Sequence, residues 1–172
     1  MALYGALPEG DSVVQEQGSR DGGRAMEYAL RLLEFRARTR KELEERLERK
    51  GFAREEVLDV LSRLELLGYV NDDRFAREWA RARVDTRGFG RLRIRRELLS
   101  KGIARDVVDA GLEGVFSGVS EEELARGLVE KQVSRYRNLD LTTIRRRLWG
   151  FLSRRGFKPD VIESVLRKLD PS

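Results

Sequence analysis

Apolar residues recur at helical spacing along most of the chain, and this pattern predicts an all-helical protein. From Arg24 onward no stretch shows the strict apolar–polar alternation of a half-buried β-strand. Residues 1–23 are rich in glycine, serine, acidic and amide side chains and show no sustained apolar period. Such a segment buries too little apolar surface to offset the entropy that ordering costs. We therefore predict a disordered tail over residues 1–23 and helices beyond it.

An internal repeat organises the helical part. Residues 43–61, 94–112 and 148–166 align without gaps, at offsets of 51 and 54 residues. The matched positions are Leu43, Ile94 and Leu148; Leu47, Leu98 and Leu152; Gly51, Gly102 and Gly156; Phe52, Ile103 and Phe157; Val57, Val108 and Ile162; and Leu61, Leu112 and Leu166. Each copy has a short helix with two apolar anchors, a glycine suited to the left-handed residue that ends a helix, and a second amphipathic helix. Each copy is therefore interpreted as a helix-turn-helix hairpin.

A further helix before each hairpin completes a three-helix unit, and we predict these helices at residues 25–38, 72–85 and 120–136. Thr39 and Ser120, each followed by a glutamate three residues later, are expected N-caps, and Pro159 is expected near the first turn of the last helix. The predicted fold is all-α, with three tandem three-helix repeats in an elongated, curved arrangement. The predicted repeat boundaries are 24–70, 71–117 and 118–172.

Each repeat should have its own small core, because short helices with few apolar anchors are unstable alone. The predicted core residues are Leu32, Leu33, Phe35, Leu61 and Leu64 in the first repeat; Phe75, Trp79, Leu98, Val108 and Leu112 in the second; and Leu128, Val133, Leu148, Leu152, Ile162 and Val165 in the third. Both tryptophans, Trp79 and Trp149, are expected to pack in the core.

Composition removes most enzymatic chemistry. The chain has no cysteine and no histidine, so it lacks thiol nucleophiles, thiolate zinc sites and the imidazole of most general bases. There is no P-loop pattern, and the adjacent carboxylates Asp72 and Asp73 are better explained as helix-start residues than as metal ligands. We predict a protein without catalytic activity, cofactor or metal. No apolar run approaches the length of a membrane span, and we expect a cytoplasmic monomer.

Arginine dominates the positive charge and is unevenly placed. The segment from Arg74 to Arg96 contains nine arginines and only two acids, Glu78 and Asp85. Arg74, Arg77 and Arg81 fall on one face of the predicted helix, opposite Phe75, and form a positive ridge. A basic turn around Gly88 and Gly90 follows, where glycine would allow close approach of a partner's backbone or simply satisfy a positive φ. A second cluster includes Arg145 and Arg146, whereas the charges of the first repeat are mixed and indicate ordinary surface.

The segment from Leu67 to Ile103 resembles the signature of the RecX regulatory proteins. It contains Gly68-Tyr69-Val70-Asn71-Asp72-Asp73-Arg74-Phe75-Ala76, then Arg87-Gly88-Phe89-Gly90, then Arg93-Ile94-x-x-Glu97-Leu98-x-x-Lys101-Gly102-Ile103. The residues that carry the signature are Gly68, Tyr69, Asp72, Asp73, Phe75, Gly88, Gly90, Ile94, Leu98 and Gly102. One departure is Arg91, where the family often has proline after the second glycine of this turn.

This resemblance implies a helical-repeat protein that lodges in the groove of the RecA filament on DNA and restrains RecA's recombinase, ATPase and co-protease activities. A positively charged surface suits a polyanionic filament. The residues expected to contact RecA carboxylates or DNA phosphates are Arg74, Arg77, Arg81, Arg83, Arg87, Arg91, Arg95, Arg96, Arg145 and Arg146.

A DNA-binding protein that acts without RecA is the alternative, since helix-turn-helix units can read a DNA groove. The second helices of the hairpins are rich in acids, however, which would repel phosphates; these acids are Glu55, Glu56, Asp59, Asp106, Asp109, Glu113, Asp160 and Glu163. Weak, salt-sensitive and non-specific DNA binding is therefore the stronger expectation.

Overall fold

The computed structural model describes residues 12–136 and 138–169, with side chains from residue 23 onward. Within these residues there are no strands, and the nine α-helices are α1 (Ser12–Phe35), α2 (Arg40–Lys50), α3 (Arg54–Leu66), α4 (Asp72–Arg87), α5 (Arg91–Ser100), α6 (Arg105–Phe116), α7 (Glu121–Val133), α8 (Leu141–Arg155) and α9 (Pro159–Arg167). A single 3₁₀ turn, Ser134–Tyr136, follows α7. Three tandem three-helix units result, which confirms the predicted all-α class. The chain divides into two compact units, one ending at Asn71 and one beginning at Asp72.

The helix termini follow the predicted local chemistry. Thr39 and Ser120 accept hydrogen bonds through their hydroxyls from the backbone N–H groups of Glu42 and Glu123, each at 3.2 Å. Pro159 occupies the first turn of α9. The three aligned glycines Gly51, Gly102 and Gly156 have φ values of 96°, 80° and 83°, and L side chains rarely adopt such values. The glycine signal of the repeat is therefore confirmed at all three positions.

The first helix starts earlier than predicted. Because α1 begins at Ser12, residues 12–23 are helical where we expected a disordered tail; the expectation for residues 1–11 lies outside the described residues. No proline interrupts the chain between Pro8 and Pro159, and extending an existing helix is far less costly than nucleating one. The glycines at 18, 22 and 23 cost only about 1 kcal/mol each in a helix.

In the first unit, α1, α2 and α3 share one core. Leu43 and Leu47 of α2 are fully buried against Leu61 and Leu64 of α3 and the small Ala25 and Ala29 of α1. The prediction of Phe35 as a core residue is wrong, since its side chain is 84% exposed. Phe35 is the last residue of α1 and lies about 100° from the stripe that Ala25, Ala29 and Leu32 form at 100° per residue.

The second unit holds two cores. One joins α4, α5 and α6 around Phe75, Ile94 and Leu112, with Trp79 packed at its edge as predicted. The other joins α7, α8 and α9 around Leu148, Leu152 and Ile162. The prediction that Trp149 belongs to a core is wrong, because 38% of this residue is exposed. Leu148 and Leu152 already fill the buried stripe of α8, and Trp149 lies about 100° away from Leu148 around the helix.

Candidate functional site

The predicted ridge on α4 exists and is exposed. Phe75, Ala76 and Ala80 are buried beneath the helix, whereas Arg74, Arg77 and Arg81 lie on the solvent side. Arg77 and Arg81 line a groove of about 530 Å³ between α4 and α6, whose other wall includes Gly114 and Val115. Among the described residues neither Arg77 nor Arg81 has an ion-pair partner. These two guanidiniums are therefore available to an external anion.

The groove is not uniformly positive. Glu78 and Asp85 also line it, together with Thr86. A partner surface that fits here would place carboxylates or phosphates against Arg77 and Arg81 and hydrogen-bond donors near Glu78 and Asp85. Mixed charge of this kind favours a specific orientation over a simple attraction to any anion.

Arg83 belongs to a network inside the second repeat. Its Nε donates to Glu97 Oε2 at 2.8 Å, and its guanidinium lies 3.9 Å from the centre of the Trp79 ring. Trp79 Nε1 donates to the same carboxylate at 3.1 Å, and Lys101 Nζ lies 4.4 Å from the Trp79 ring centre. Burial raises the pKa of Glu97, but the hydrogen bonds from Arg83 and Trp79 and the charge of Arg83 lower it by more, so that pKa lies below its ordinary value. Arg83 thus joins α4 to α5.

Arg91 and Arg95 also have internal partners. Arg95 donates to both carboxylate oxygens of Asp109, at 2.8 and 3.2 Å, and the hydrogen bond from Arg95 lowers the pKa of Asp109. Arg91 Nη1 donates to Glu113 at 2.9 Å, and its backbone N–H donates to Glu121 Oε1 at 2.9 Å. Proline at position 91 would have no N–H to donate. The arginine therefore permits the backbone hydrogen bond to Glu121 that joins the second repeat to the third.

The glycine turn contacts the chain's own third repeat. Gly88 has a φ of 57°, and Gly90 is buried with its N–H donating to the Arg155 carbonyl at 2.8 Å. A Cβ atom on Gly90 would lie 2.6 Å from the Gly156 carbonyl oxygen, and one on Gly156 would lie 2.3 Å from Arg93. The two backbones meet here because neither residue has a side chain. Gly90 therefore allows a close approach between two parts of the same molecule, and Gly88 provides the positive φ of the turn.

Several side chains outside the ten predicted contact residues close this junction. Arg155 donates through Nη1 to the Arg87 carbonyl, and burial together with the charge of Arg93 lowers its pKa. Arg93 lies 3.8 Å from the centre of the Phe89 ring and donates to the Arg154 carbonyl at 3.0 Å. The hydrogen bonds of Arg93 and Arg155 to the other repeat span 61 and 68 residues, so no local sequence signal reveals them.

The remaining predicted contact residues are exposed. Arg87 and Arg96 lie on the surface of α4 and α5, and Arg96 Nε donates only to its own helix, at the Leu92 carbonyl. Arg145 and Arg146 are exposed on α8, where they line a second groove of about 230 Å³ with Trp149. Of the ten predicted arginines, four therefore line two separate grooves, three have carboxylate partners within the second repeat, and Arg74, Arg87 and Arg96 are exposed outside both grooves.

The other signature residues are mainly structural. Gly68, with a φ of 74°, ends α3, while Ile94 and Leu98 are fully buried anchors of α5. Asp72 and Asp73 lie in the first turn of α4, where negative charge is favourable. Tyr69 is 56% exposed. In the part of the chain that the structure describes, no cluster of three or more carboxylates could hold a metal ion, and none of the helices there is long and apolar enough to cross a bilayer.

Comparison with known proteins gives one consistent result. Family models described as the first, second and third three-helix domains of RecX match residues 25–64, 71–112 and 120–166. The chain is 39% identical over 145 residues to the regulatory protein RecX of Amycolatopsis mediterranei, covering 84% of this chain and 82% of that protein. It is 36% identical over 144 residues to that of Streptomyces coelicolor, covering 84% and 76%.

Solved structures agree on the fold. The crystal structure of RecX from Lactobacillus salivarius superimposes with a TM-score of 0.82 at 24% identity, over 88% of this chain and 98% of that one. A second crystal structure, of a regulatory protein RecX, gives a TM-score of 0.80, also at 24% identity, over 95% of this chain and 80% of that one. At this identity the likeness bears on the fold alone.

Proposed function

This chain belongs to the RecX family of regulatory proteins, and on that premise we propose that it binds the RecA filament on DNA and restrains RecA's recombinase, ATPase and co-protease activities. In this role the protein contributes to the control of DNA repair and the SOS response. It acts by binding, in the cytoplasm, and not by catalysis. Its contact with DNA is weak and non-specific, and it works as a monomer.

The observation that carries the proposal is that two arginines of the α4 ridge have no ion-pair partner among the described residues. The guanidiniums of Arg83, Arg91 and Arg95 are held by carboxylates of their own repeat, whereas Arg77 and Arg81 stand one turn apart with no such partner among the described residues. Unpaired guanidiniums are weakly hydrated and suit bidentate contacts to carboxylates or phosphates. The α4 ridge therefore supports a contact with RecA acids or with the filament's phosphates.

A titration of RecA ATP hydrolysis on single-stranded DNA tests this proposal. We expect dose-dependent inhibition by the unaltered protein at sub-stoichiometric ratios. The double variant Arg77→Ala/Arg81→Ala should lose potency by at least about tenfold, because the loss of even one desolvated charge pair costs about 2 kcal/mol or more and about 1.4 kcal/mol corresponds to a tenfold change. The matched control is Arg31→Ala/Arg63→Ala, which also removes two positive charges, from exposed i,i+4 pairs of the first repeat.

Two results would oppose the proposal. If the unaltered protein leaves RecA activity unchanged while binding duplex DNA tightly and sequence-selectively, the alternative of a DNA-binding protein that acts without RecA is favoured. If both double variants lose potency equally, net charge and not the α4 ridge governs the effect.

A further inference from the structure

We propose that the groove between α8 and α9 is a stacking site for one unpaired base of single-stranded DNA, with Trp149 as the platform. This inference deepens the DNA part of the proposed function, on which it rests for the choice of nucleic acid. The groove has a volume of about 230 Å³ and is lined by Arg145, Arg146, Trp149, Glu163 and Leu166. It is distinct from the groove beside the α4 ridge.

Trp149 is not needed for the core of the third repeat. Leu148 and Leu152 of the same helix are fully buried and complete its apolar stripe, whereas 38% of Trp149 remains exposed. A tryptophan left at a surface keeps a large apolar face in water, an arrangement that is common at binding sites. The exposed part of the indole therefore offers an apolar surface to a ligand.

The neighbouring charges match a nucleotide. Arg146 and Arg145 precede Trp149 by three and four residues, so each arginine is a neighbour of Trp149 on the surface of α8, with Cβ atoms about 5–6 Å from that of Trp149. A base on the indole would place its phosphate within reach of these guanidiniums, which bind phosphate through paired N–H donors. Arg146 has no hydrogen bond or ion pair to another described residue. Base–aromatic stacking beside a basic track is the usual way to bind a single strand.

The wall of the groove opposite Trp149 defines the orientation of the bound nucleotide. Leu166 of α9 supplies an apolar contact, and Glu163 supplies a negative charge. A phosphate near Glu163 would be repelled, so the phosphodiester is expected on the Arg146 side. A duplex would not use this site, because its base faces are covered by neighbouring base pairs. An acidic peptide with one apolar side chain could enter the groove, but the exposed Arg154 and Lys158 extend the positive charge of this repeat, as a longer polyanion requires.

The test uses the full chain without RecA and an oligothymidylate of about 15 nucleotides, the upper range for a single-strand site. Binding is followed by fluorescence anisotropy of the labelled oligonucleotide and by quenching of the protein's tryptophan emission. We expect Trp149→Ala to weaken binding about tenfold and to abolish the quenching, Trp149→Phe to retain most of the affinity, and Arg146→Ala to weaken binding severalfold. Leu141→Ala, which truncates another exposed apolar residue of α8, is the matched control.

Three results would overturn the proposal. They are no binding of the oligonucleotide, an unchanged affinity of Trp149→Ala, and binding of a labelled acidic peptide in the groove that the oligonucleotide does not displace. Circular dichroism of each variant establishes that it is folded, and Trp149→Phe provides the comparison if the alanine variant is not. Because RecA is absent, failure here leaves inhibition of RecA by the α4 ridge intact. The first-repeat variant Arg31→Ala/Arg63→Ala, which removes two positive charges outside both grooves, should bind the oligonucleotide as the unaltered protein does.

Discussion

The carboxylate of Glu97 is the internal partner of Arg83 in the second repeat. It accepts hydrogen bonds from Arg83, from the Trp79 indole and, at 3.5 Å, from Arg93. With 26% of its side chain exposed, it is shielded enough for these bonds to matter, because charge-assisted hydrogen bonds are about twice as strong as neutral ones. A single acid thereby fixes the indole that closes one edge of the α4–α6 core.

Replacing Glu97 by Gln should lower the free energy of unfolding by about 1–3 kcal/mol, because the charge-assisted bonds are weakened. The folded-state pKa of Glu97 lies below its ordinary value of 4.5. Its contribution is therefore fully present above pH 4.5 and is lost as the pH falls through the lowered pKa. Urea unfolding at neutral pH and at about pH 3 measures both effects.

The variant Glu97→Gln should accordingly lose less stability on acidification than the unaltered protein does. Glu130→Gln is the control, since Glu130 is exposed on α7 and has no ion pair within the described residues. An identical pH dependence in Glu97→Gln and the unaltered protein would show that the carboxylate's bonds do not contribute to stability.

At the scale of the elements, the junction between the glycine turn and the end of α8 joins the second and third repeats. Two backbone hydrogen bonds cross it, from Gly90 N–H to the Arg155 carbonyl and from Leu92 N–H to the Gly156 carbonyl, at 2.8 and 3.0 Å. Backbone groups on both sides are satisfied, so the junction resembles a piece of secondary structure more than a contact between side chains.

Gly90→Ala should destabilise the protein by about 1–3 kcal/mol, because the new methyl group would collide with the Gly156 carbonyl, which cannot move freely. Gly127→Ala serves as the comparison: an added Cβ there meets no atom within 4 Å, and alanine favours a helix by about 1 kcal/mol over glycine. Thermal unfolding followed by circular dichroism should therefore shift in opposite directions for the two variants. A shift of the same sign for both would count against steric contact as the cause.

Local features of the elements could be predicted from the sequence, and contacts between elements could not. The caps at Thr39 and Ser120 and the left-handed Gly51, Gly102 and Gly156 each depend on a few neighbouring residues. The Arg95–Asp109 pair depends on how α5 crosses α6, and Gly90 meets Gly156 only after the third repeat is in place. The apolar character of Phe35 and Trp149 predicted burial, but their angular positions off the stripe put them at the surface.

At the scale of the whole molecule, charge is the property that connects the parts to the proposed function. The formal net charge is +5 with no histidine, so it changes little between about pH 6 and 8. Salt, and not pH, should therefore modulate the binding of the protein. The fold class and the position of the α4 ridge followed from the sequence, but which arginines of the ridge remain unpaired required the structure.

Inhibition of RecA should weaken as sodium chloride is raised from about 50 to 200 mM, after normalisation to RecA activity without inhibitor at each salt concentration. If Arg77 and Arg81 contact DNA phosphates, Arg77→Ala/Arg81→Ala should reduce the slope of log potency against log salt by about one unit per arginine. If they contact RecA carboxylates, potency should fall with a smaller change in slope. Salt-independent inhibition would contradict an electrostatic contact of either kind.

Gly51 and Gly156 occupy equivalent positions in the first and third repeats, but their surroundings show that the repeats are not interchangeable modules. An added Cβ at Gly51 meets open space, while at Gly156 it meets the backbone of Arg93. Asparagine, which tolerates left-handed backbone, could therefore replace the first glycine with little loss but not the third. If the hairpins arose by duplication, both positions would have started with the same residue. Of these two glycines, only Gly156 now lies against the backbone of a neighbouring repeat. Sequence drift should accordingly be freer at position 51 than at position 156, and a chimera carrying the first hairpin in place of the third would lack a matched junction.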